Sequence, residues 1–267
     1  MIEKKKHKFS IKLDYTAIFL GCYVIFLIEL CFVSVLAEPK EYENPKEEVV
    51  VEKVKTEEEL SLKEQYEKNK AINDDYVGQI YFDSGLINLP FVQGDTNNTY
   101  FRTDWETMKY DIGGSIFMDC ANDITKDQNI ILYGHNYGPY DDPTLTKMFT
   151  PLRVLRDQKN YEENKIVNLY LGDYTLKFQV LTVYLVQVTE IDGIQYISSD
   201  DPVYVTRNYK SKDLFKYIER FKDRELYDTG LTIDKTDRLL TLQTCVDGST
   251  DKLIVVSKLI ETIKEEE

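Results

Sequence analysis

Between Leu176 and Val188 six apolar side chains share one parity: Leu176, Phe178, Val180, Tyr184, Val186 and Val188. A period of two places them on one face of a pleated strand. A strand this long is not stable alone and has to bury that face against others. Partners are available. Short β-type runs separated by turn residues occur at Gly78–Phe82, Leu86–Val92, Gly114–Met118, Asn129–Tyr133, Lys165–Leu171, Leu239–Cys245 and Leu253–Ile260, alongside Thr175–Val188 itself. Helical spacing is confined to 56–72, 144–158 and 211–224. The pattern predicts a mainly β domain, a closed or nearly closed barrel of roughly eight strands, the number at which side chains just fill the interior.

The 56–72 segment predicts an N-terminal helix packed on that barrel. Thr56 and Glu59 stand at capping-box spacing, and Leu60, Tyr66 and Ile72 give it a sparse apolar face. Residues 211–224, SKDLFKYIERFKDR, repeat Leu214, Tyr217, Ile218 and Phe221 at helical spacing. They predict a helical insertion before the strand that ends at Cys245.

Upstream, residues 15–37 form an apolar run long enough to cross a bilayer, interrupted by one charge, Glu29. Five lysines precede it, within residues 1–14, and an acidic segment follows. That asymmetry predicts a cytoplasmic basic tail, 1–14, and a single-pass signal anchor, 15–37, in the cell membrane with the rest of the chain outside. A signal peptide cleaved after Val35-Leu36-Ala37 is the alternative. Residues 38–55, rich in Glu, Lys and Val, read as an extracellular stalk. The folded domain is expected over 56–262, followed by a short acidic tail, 263–267.

The net charge of −14 includes the N-terminal lysines, so the outer domain is more acidic still. Such a surface repels phosphate backbones and excludes nucleic acid as a partner. Of four cysteines, Cys22 and Cys31 lie in the apolar run, leaving Cys120 and Cys245 for the domain. Two cysteines make no disulfide framework.

His135, in NIILYGHNYG, is the only histidine beyond residue 7 and directly follows a predicted strand. Cys245 ends the run DRLLTLQTC, before the polar turn VDGSTD. A cysteine and a histidine at strand ends can perform nucleophilic catalysis if the fold brings them together: the thiolate attacks a carbonyl and the imidazole handles the leaving-group proton. A loop histidine and an incidental thiol are the plain alternative. Cys120, after GSIFMD, has no distinctive surroundings and reads as a small buried or half-buried thiol. Metal-ligand spacing, G-x-S-x-G, P-loop and dinucleotide-binding patterns are all missing from the sequence, and no cofactor or metal is expected. Asn97-Asn98-Thr99 matches a glycosylation sequon and is read as a chance match.

At these two strands the chain resembles the sortases, specifically class B. The matching residues are TLQTC (241–245) and YGHN (133–136), supported by INLPFVQGDTNNTYFRTDW (87–105), GGSIFMDCAND (113–123) and the insertion at 211–224. The resemblance covers about residues 60–262. It implies a sortase-type barrel and a cysteine transpeptidase that cuts a C-terminal sorting signal of a secreted surface protein, forms a thioacyl-enzyme, and passes the acyl group to an amine on peptidoglycan or a pilin. Carried over, Cys245 is the nucleophile and His135 its acid/base partner. The groove would be floored by the Cys245 strand and walled by residues 189–224. Thr244, Gln243 (where the family usually has Ser), Asn136, Asp247, Tyr204, Thr206 and Ile218 become substrate-contact candidates.

One position departs from the family. Sortases carry an arginine on the strand after the cysteine, and here Lys252 stands there, with no arginine anywhere beyond Cys245. An ammonium lacks the planar two-pronged donor set of a guanidinium. Either Lys252 serves in its place, or Arg238 or Arg207 reaches in, or the chain is a weakly active or silent surface-binding module. Arg238 begins the strand whose far end is Cys245, roughly 20 Å away at strand rise. A cysteine peptidase that only hydrolyses is a further alternative.

Overall fold

The computed structural model describes residues 60–136, 147–186, 189–191, 194–196, 222, 224–246 and 251–265. The expected basic tail, anchor and stalk, the 211–224 helix except residues 222 and 224, and Asp247, Tyr204, Thr206, Ile218 and Arg207 lie outside the described residues. Among the described residues, no helix is long and apolar enough to cross a membrane.

Eight strands close into a barrel. They are β1 (Tyr76–Phe82), β2 (Asn88–Val92), β3 (Ile116–Met118), β4 (Asn129–Tyr133), β5 (Ile166–Tyr170), β6 (Tyr174–Val186), β9 (Leu239–Cys245) and β10 (Lys252–Lys264). Around the barrel they run β1-β2-β3-β4-β9-β10-β6-β5. β7 (Thr189–Ile191) and β8 (Ile194–Tyr196) pair only with each other. Closure leaves no exposed edge for a second chain to extend. Two pairs are parallel, β2 with β3 and β4 with β9, and the rest are antiparallel. The barrel is therefore the mixed, closed form that the β-runs predict. β10 continues past Ile260 to Lys264, so Ile263 and Lys264, expected in an acidic tail, pair with Thr175 and Tyr174.

The alternation along β6 is not uniform. Leu176, Phe178 and Val180 face the main core, as does Val183, while Tyr184 and Val186 join a second cluster with Leu239, Ile254 and Val256. The cause is a register shift: Val256 pairs with Thr182 but Ser257 with Val180, leaving Leu181 as an extra residue. A bulge of one residue moves every later side chain to the opposite face. The single apolar face expected over 176–188 is thus two half-faces, and β6 is buried on both sides.

Helix α1 (Leu62–Ile72) starts later than expected. Its capping box is Ser61 and Glu64: the Ser61 hydroxyl accepts from Glu64 N–H at 3.3 Å and the Glu64 carboxylate accepts from Ser61 N–H at 2.9 Å. Thr56 and Glu59 lie outside the described residues. Leu60 and Ile72 are exposed, so docking falls to Tyr66, set edge-on to Tyr76 and Tyr170 at 5.4 and 5.9 Å. Gly172, with φ +87°, makes room: a Cβ there would lie 2.8 Å from the Tyr66 ring.

Between β4 and β5, the helical spacing expected at 144–158 becomes two 3-10 stretches, Thr150–Arg156 and Gln158–Asn160, and one α-turn, α2 (Tyr161–Asn164). Pro151 opens the first, where its missing N–H costs nothing. Phe149, Leu152 and Leu155 are fully buried in the main core.

Candidate active site

β4 and β9 run parallel side by side, with Tyr133 opposite Gln243. Two residues further along each strand stand His135 and Cys245, brought to the same end of the barrel by that register. β10 runs back beside β9 from Lys252, which pairs with Cys245. Chemically active side chains from distant parts of the sequence thus share one rim because three strands are adjacent.

Local contacts fix the rim. Gly134 N–H donates to Gln243 O at 3.2 Å, extending the ladder one residue beyond β4. Phe149 N–H donates to His135 O at 3.0 Å. A Cβ at Gly134 would sit 2.8 Å from the Phe149 ring, so glycine is required for this approach. The Asn136 amide donates to Cys245 O at 2.9 Å, tying the histidine loop to the cysteine strand. Val246 N–H donates to Asp251 O at 2.8 Å, closing the turn between β9 and β10.

The side chains open on a cleft of about 290 Å³. His135, Cys245, Lys252, Gln243 and Thr244 all line it. Cys245 and Gln243 lie on the partly exposed face of β9 while Thr244, on the alternate face, is buried. Lys252 Nζ donates toward Cys245 Sγ at 3.2 Å. His135 Nε2 meets the Phe101 carbonyl at 2.8 Å. Burial holds the His135 pKa below the usual imidazole value of 6.5; the Phe101 carbonyl pulls it upward, and the Arg102 and Lys252 cations push it down again. The balance favours the neutral imidazole over the imidazolium.

Arg238 does not reach the cleft. Its guanidinium donates to the Asp127 and Ile124 carbonyls, at 3.2 and 2.7 Å, at the opposite end of β9. Cys120 is a free, partly exposed thiol off the cleft lining, with its N–H donating to Asn97 at 2.7 Å. Among the described residues, no group of His, Cys, Asp and Glu could hold a metal ion.

Five lining residues were not proposed as site residues from the sequence: Asn97, Phe101, Phe117, Tyr133 and Gly134. They lie in or beside the 87–105, 113–123 and 133–136 stretches, but nothing in the local pattern marks which of those side chains turn toward the cysteine. Asn97, in the sequon, is tied into the site by its amide. Its amide donates to the Asp119 carboxylate at 3.0 Å and accepts from Cys120 N–H at 2.7 Å, and so is part of the cleft wall.

Comparison with known proteins agrees with this geometry. The family model described as "Sortase domain" matches residues 82–260. Sortase B of Staphylococcus aureus (strain NCTC 8325 / PS 47) is 33% identical over 207 residues, covering 75% of this chain and 76% of the relative. Among solved structures, a Staphylococcus aureus sortase B–substrate complex is similar with a TM-score of 0.59 and 29% identity, covering 74% of this chain and 85% of that one. A sortase B complexed with triglycine gives a TM-score of 0.62 at 28% identity, covering 78% and 89% of the two chains. The closed barrel, the rim shared by β4 and β9, and the match over most of the described domain lead to one assignment: this chain belongs to the sortase family.

Proposed function

We propose that the chain is an active cysteine transpeptidase, with Cys245 as nucleophile, His135 as acid/base and Lys252 as the cation beside the reacting sulfur. The observation that carries this reading is the convergence of all three on one cleft, with Lys252 Nζ 3.2 Å from Cys245 Sγ. The neutral imidazole takes the thiol proton, and the thiolate attacks a substrate carbonyl carbon. A tetrahedral adduct forms, whose negative oxygen an ammonium beside the sulfur can stabilise. The C–N bond then breaks, the imidazolium gives its proton to the departing amine, and a thioester remains on Cys245. An incoming amine reverses the sequence: it loses a proton to the imidazole, forms the new amide bond and releases the thiol.

The donor is proposed to be a sorting-signal peptide of a secreted surface protein, and the acceptor a cell-wall or pilin amine. The similar sortase B structures with bound substrate and with triglycine support this pairing. The apolar run at 15–37 supports tethering in the cell membrane with the catalytic domain outside. A second reading, a weakly active or silent binding module, is favoured by lysine at a position where the family has arginine.

Intact-mass analysis with sorting-signal peptides, with and without triglycine, tests the proposal. A Cys245-dependent acyl adduct that transfers to triglycine supports the transpeptidase. An adduct that only hydrolyses points to a peptidase. No adduct with any peptide, in the native chain or in Lys252→Arg, sinks the enzymatic reading.

A further inference from the structure

Phe101 touches His135 twice. Its carbonyl oxygen lies 2.8 Å from Nε2, and its ring centroid lies 4.5 Å from the imidazole centroid at an interplanar angle of 49°. We propose that Phe101 is the positioning residue of His135: its carbonyl keeps a proton on Nε2 and its ring sets the imidazole plane, which makes Nδ1 the nitrogen that exchanges protons in the cleft.

A carbonyl oxygen can only accept, so the Nε2 it contacts must carry hydrogen. In a neutral imidazole the lone pair is then on Nδ1, and the second proton of the imidazolium arrives and leaves there. The carbonyl is held in place by its own surroundings. Ser115 N–H donates to Tyr100 O at 3.1 Å, and Gly114, with φ +54°, packs so closely that a Cβ would lie 2.4 Å from Phe101 O. No other residue type allows this approach without moving the carbonyl.

The ring is as telling as the carbonyl. Phe101 is 44% exposed, a large apolar side chain left in solvent beside the cleft it helps to line. It is not there to fill the core. The Arg102 guanidinium carbon stands 5.0 Å from the same ring, within cation–π range. Among the described residues, Arg102 on the loop and Lys252 on β10 are the charged groups that act on the imidazole, and Cys245 on β9 shares its cleft. The two cations oppose a second proton on His135, while the Phe101 carbonyl favours it. A neutral, Nε2–H imidazole is thus the resting state, poised to accept the Cys245 proton at Nδ1.

Only the effect on turnover rests on the transpeptidase reading; the tautomer does not. The test therefore starts without substrate. The full chain is labelled with ring-15N histidine and held in detergent micelles, with His7→Gln assigning the only other histidine. At a pH where the imidazole is neutral, His135 should give the Nε2–H pattern; an Nδ1–H pattern or an even mixture overturns the proposal. Phe101→Ala keeps the backbone carbonyl but removes the ring that holds the imidazole plane against it, so the imidazole should turn off the carbonyl, the signal should move toward a mixture and kcat should fall by up to about 100-fold, with KM little changed. It should also shift the acid limb of the kcat profile. Phe101→Leu, which keeps apolar volume without a ring, should behave like Phe101→Ala, and Phe101→Tyr should restore both signal and rate. Tyr110→Ser, an exposed change on the same loop, should leave the His135 signal as it was. An unchanged signal in Phe101→Ala, or a loss confined to KM, makes Phe101 a substrate contact only and defeats the positioning role. If no peptide is turned over, the transpeptidase reading fails while the nitrogen spectra still decide this one.

Discussion

Lys252 Nζ lies 3.2 Å from Cys245 Sγ because the two residues face each other across the first rung of the β9–β10 ladder. Their separation is set by strand pairing, not by a flexible side chain reaching from elsewhere. In the proposed reaction, this places a cation beside the attacking sulfur and the oxyanion that follows.

Removing that cation should be costly. Lys252→Met is expected to lower kcat by about 10²–10³, the usual loss for one such donor. Lys252→Arg, which restores a planar fork, should turn over faster than the native chain. Single-turnover assays that follow the acyl adduct by mass check both; equal rates in all three proteins would remove Lys252 from the reaction.

His135 should link stability to acidity. Its pKa in the folded protein is below 6.5, so on acidification the unfolded chain takes up a proton first. The contribution from a neutral His135 is fully present above pH 6.5 and is lost as pH falls from there through the lower folded value. Urea midpoints measured from about pH 7.5 down to about 4.5 should fall less steeply in His135→Gln than in the native chain. Parallel slopes would contradict the depressed pKa.

Gly134→Ala should both destabilise and misplace the histidine. The new methyl would lie 2.8 Å from the Phe149 ring in a packed core. Overpacking of this kind costs about 1–3 kcal/mol. Because Gly134 N–H also holds Gln243 O, the His135 loop should shift relative to Cys245. Denaturant unfolding measures the first effect and the rate of acyl-adduct formation the second.

Tyr66 should carry most of the docking of α1. The helix buries none of its residues fully and meets the barrel through Tyr66, packed on Tyr76 and Tyr170, and through Lys70 Nζ, which donates to Tyr76 O at 2.8 Å. Tyr66→Ala should cost about 0.5–1.5 kcal/mol from those ring pairs, plus the area uncovered. Amide exchange across 62–72 should rise far more than exchange in β9 and β10.

Much of the barrel was legible because it rests on local rules. β4 and β9 occupy the spans their apolar runs predict, 129–133 and 239–245, since a short apolar run bounded by turn residues has few other ways to be buried. The helix start was less legible: T-E-E-E and S-L-K-E both satisfy the capping pattern, and the described helix uses Ser61 and Glu64. The bulge at Leu181 left no local mark, because Leu, Thr and Val on either side suit both faces of a strand.

The site divides in the same way. Cys245 and His135 could be picked out from strand-end position and motif, which are properties of contiguous residues. That His135 lies beside Cys245, that Lys252 meets the sulfur, that Arg238 is at the wrong end, and that Phe101 holds the imidazole all depend on which strands neighbour one another and in which direction they run. The residues joined by the β4–β9 pairing are separated by about a hundred positions of chain. Periodicity reports which face of an element is buried, but carries no information about the partner across it. That choice is made only when the barrel closes.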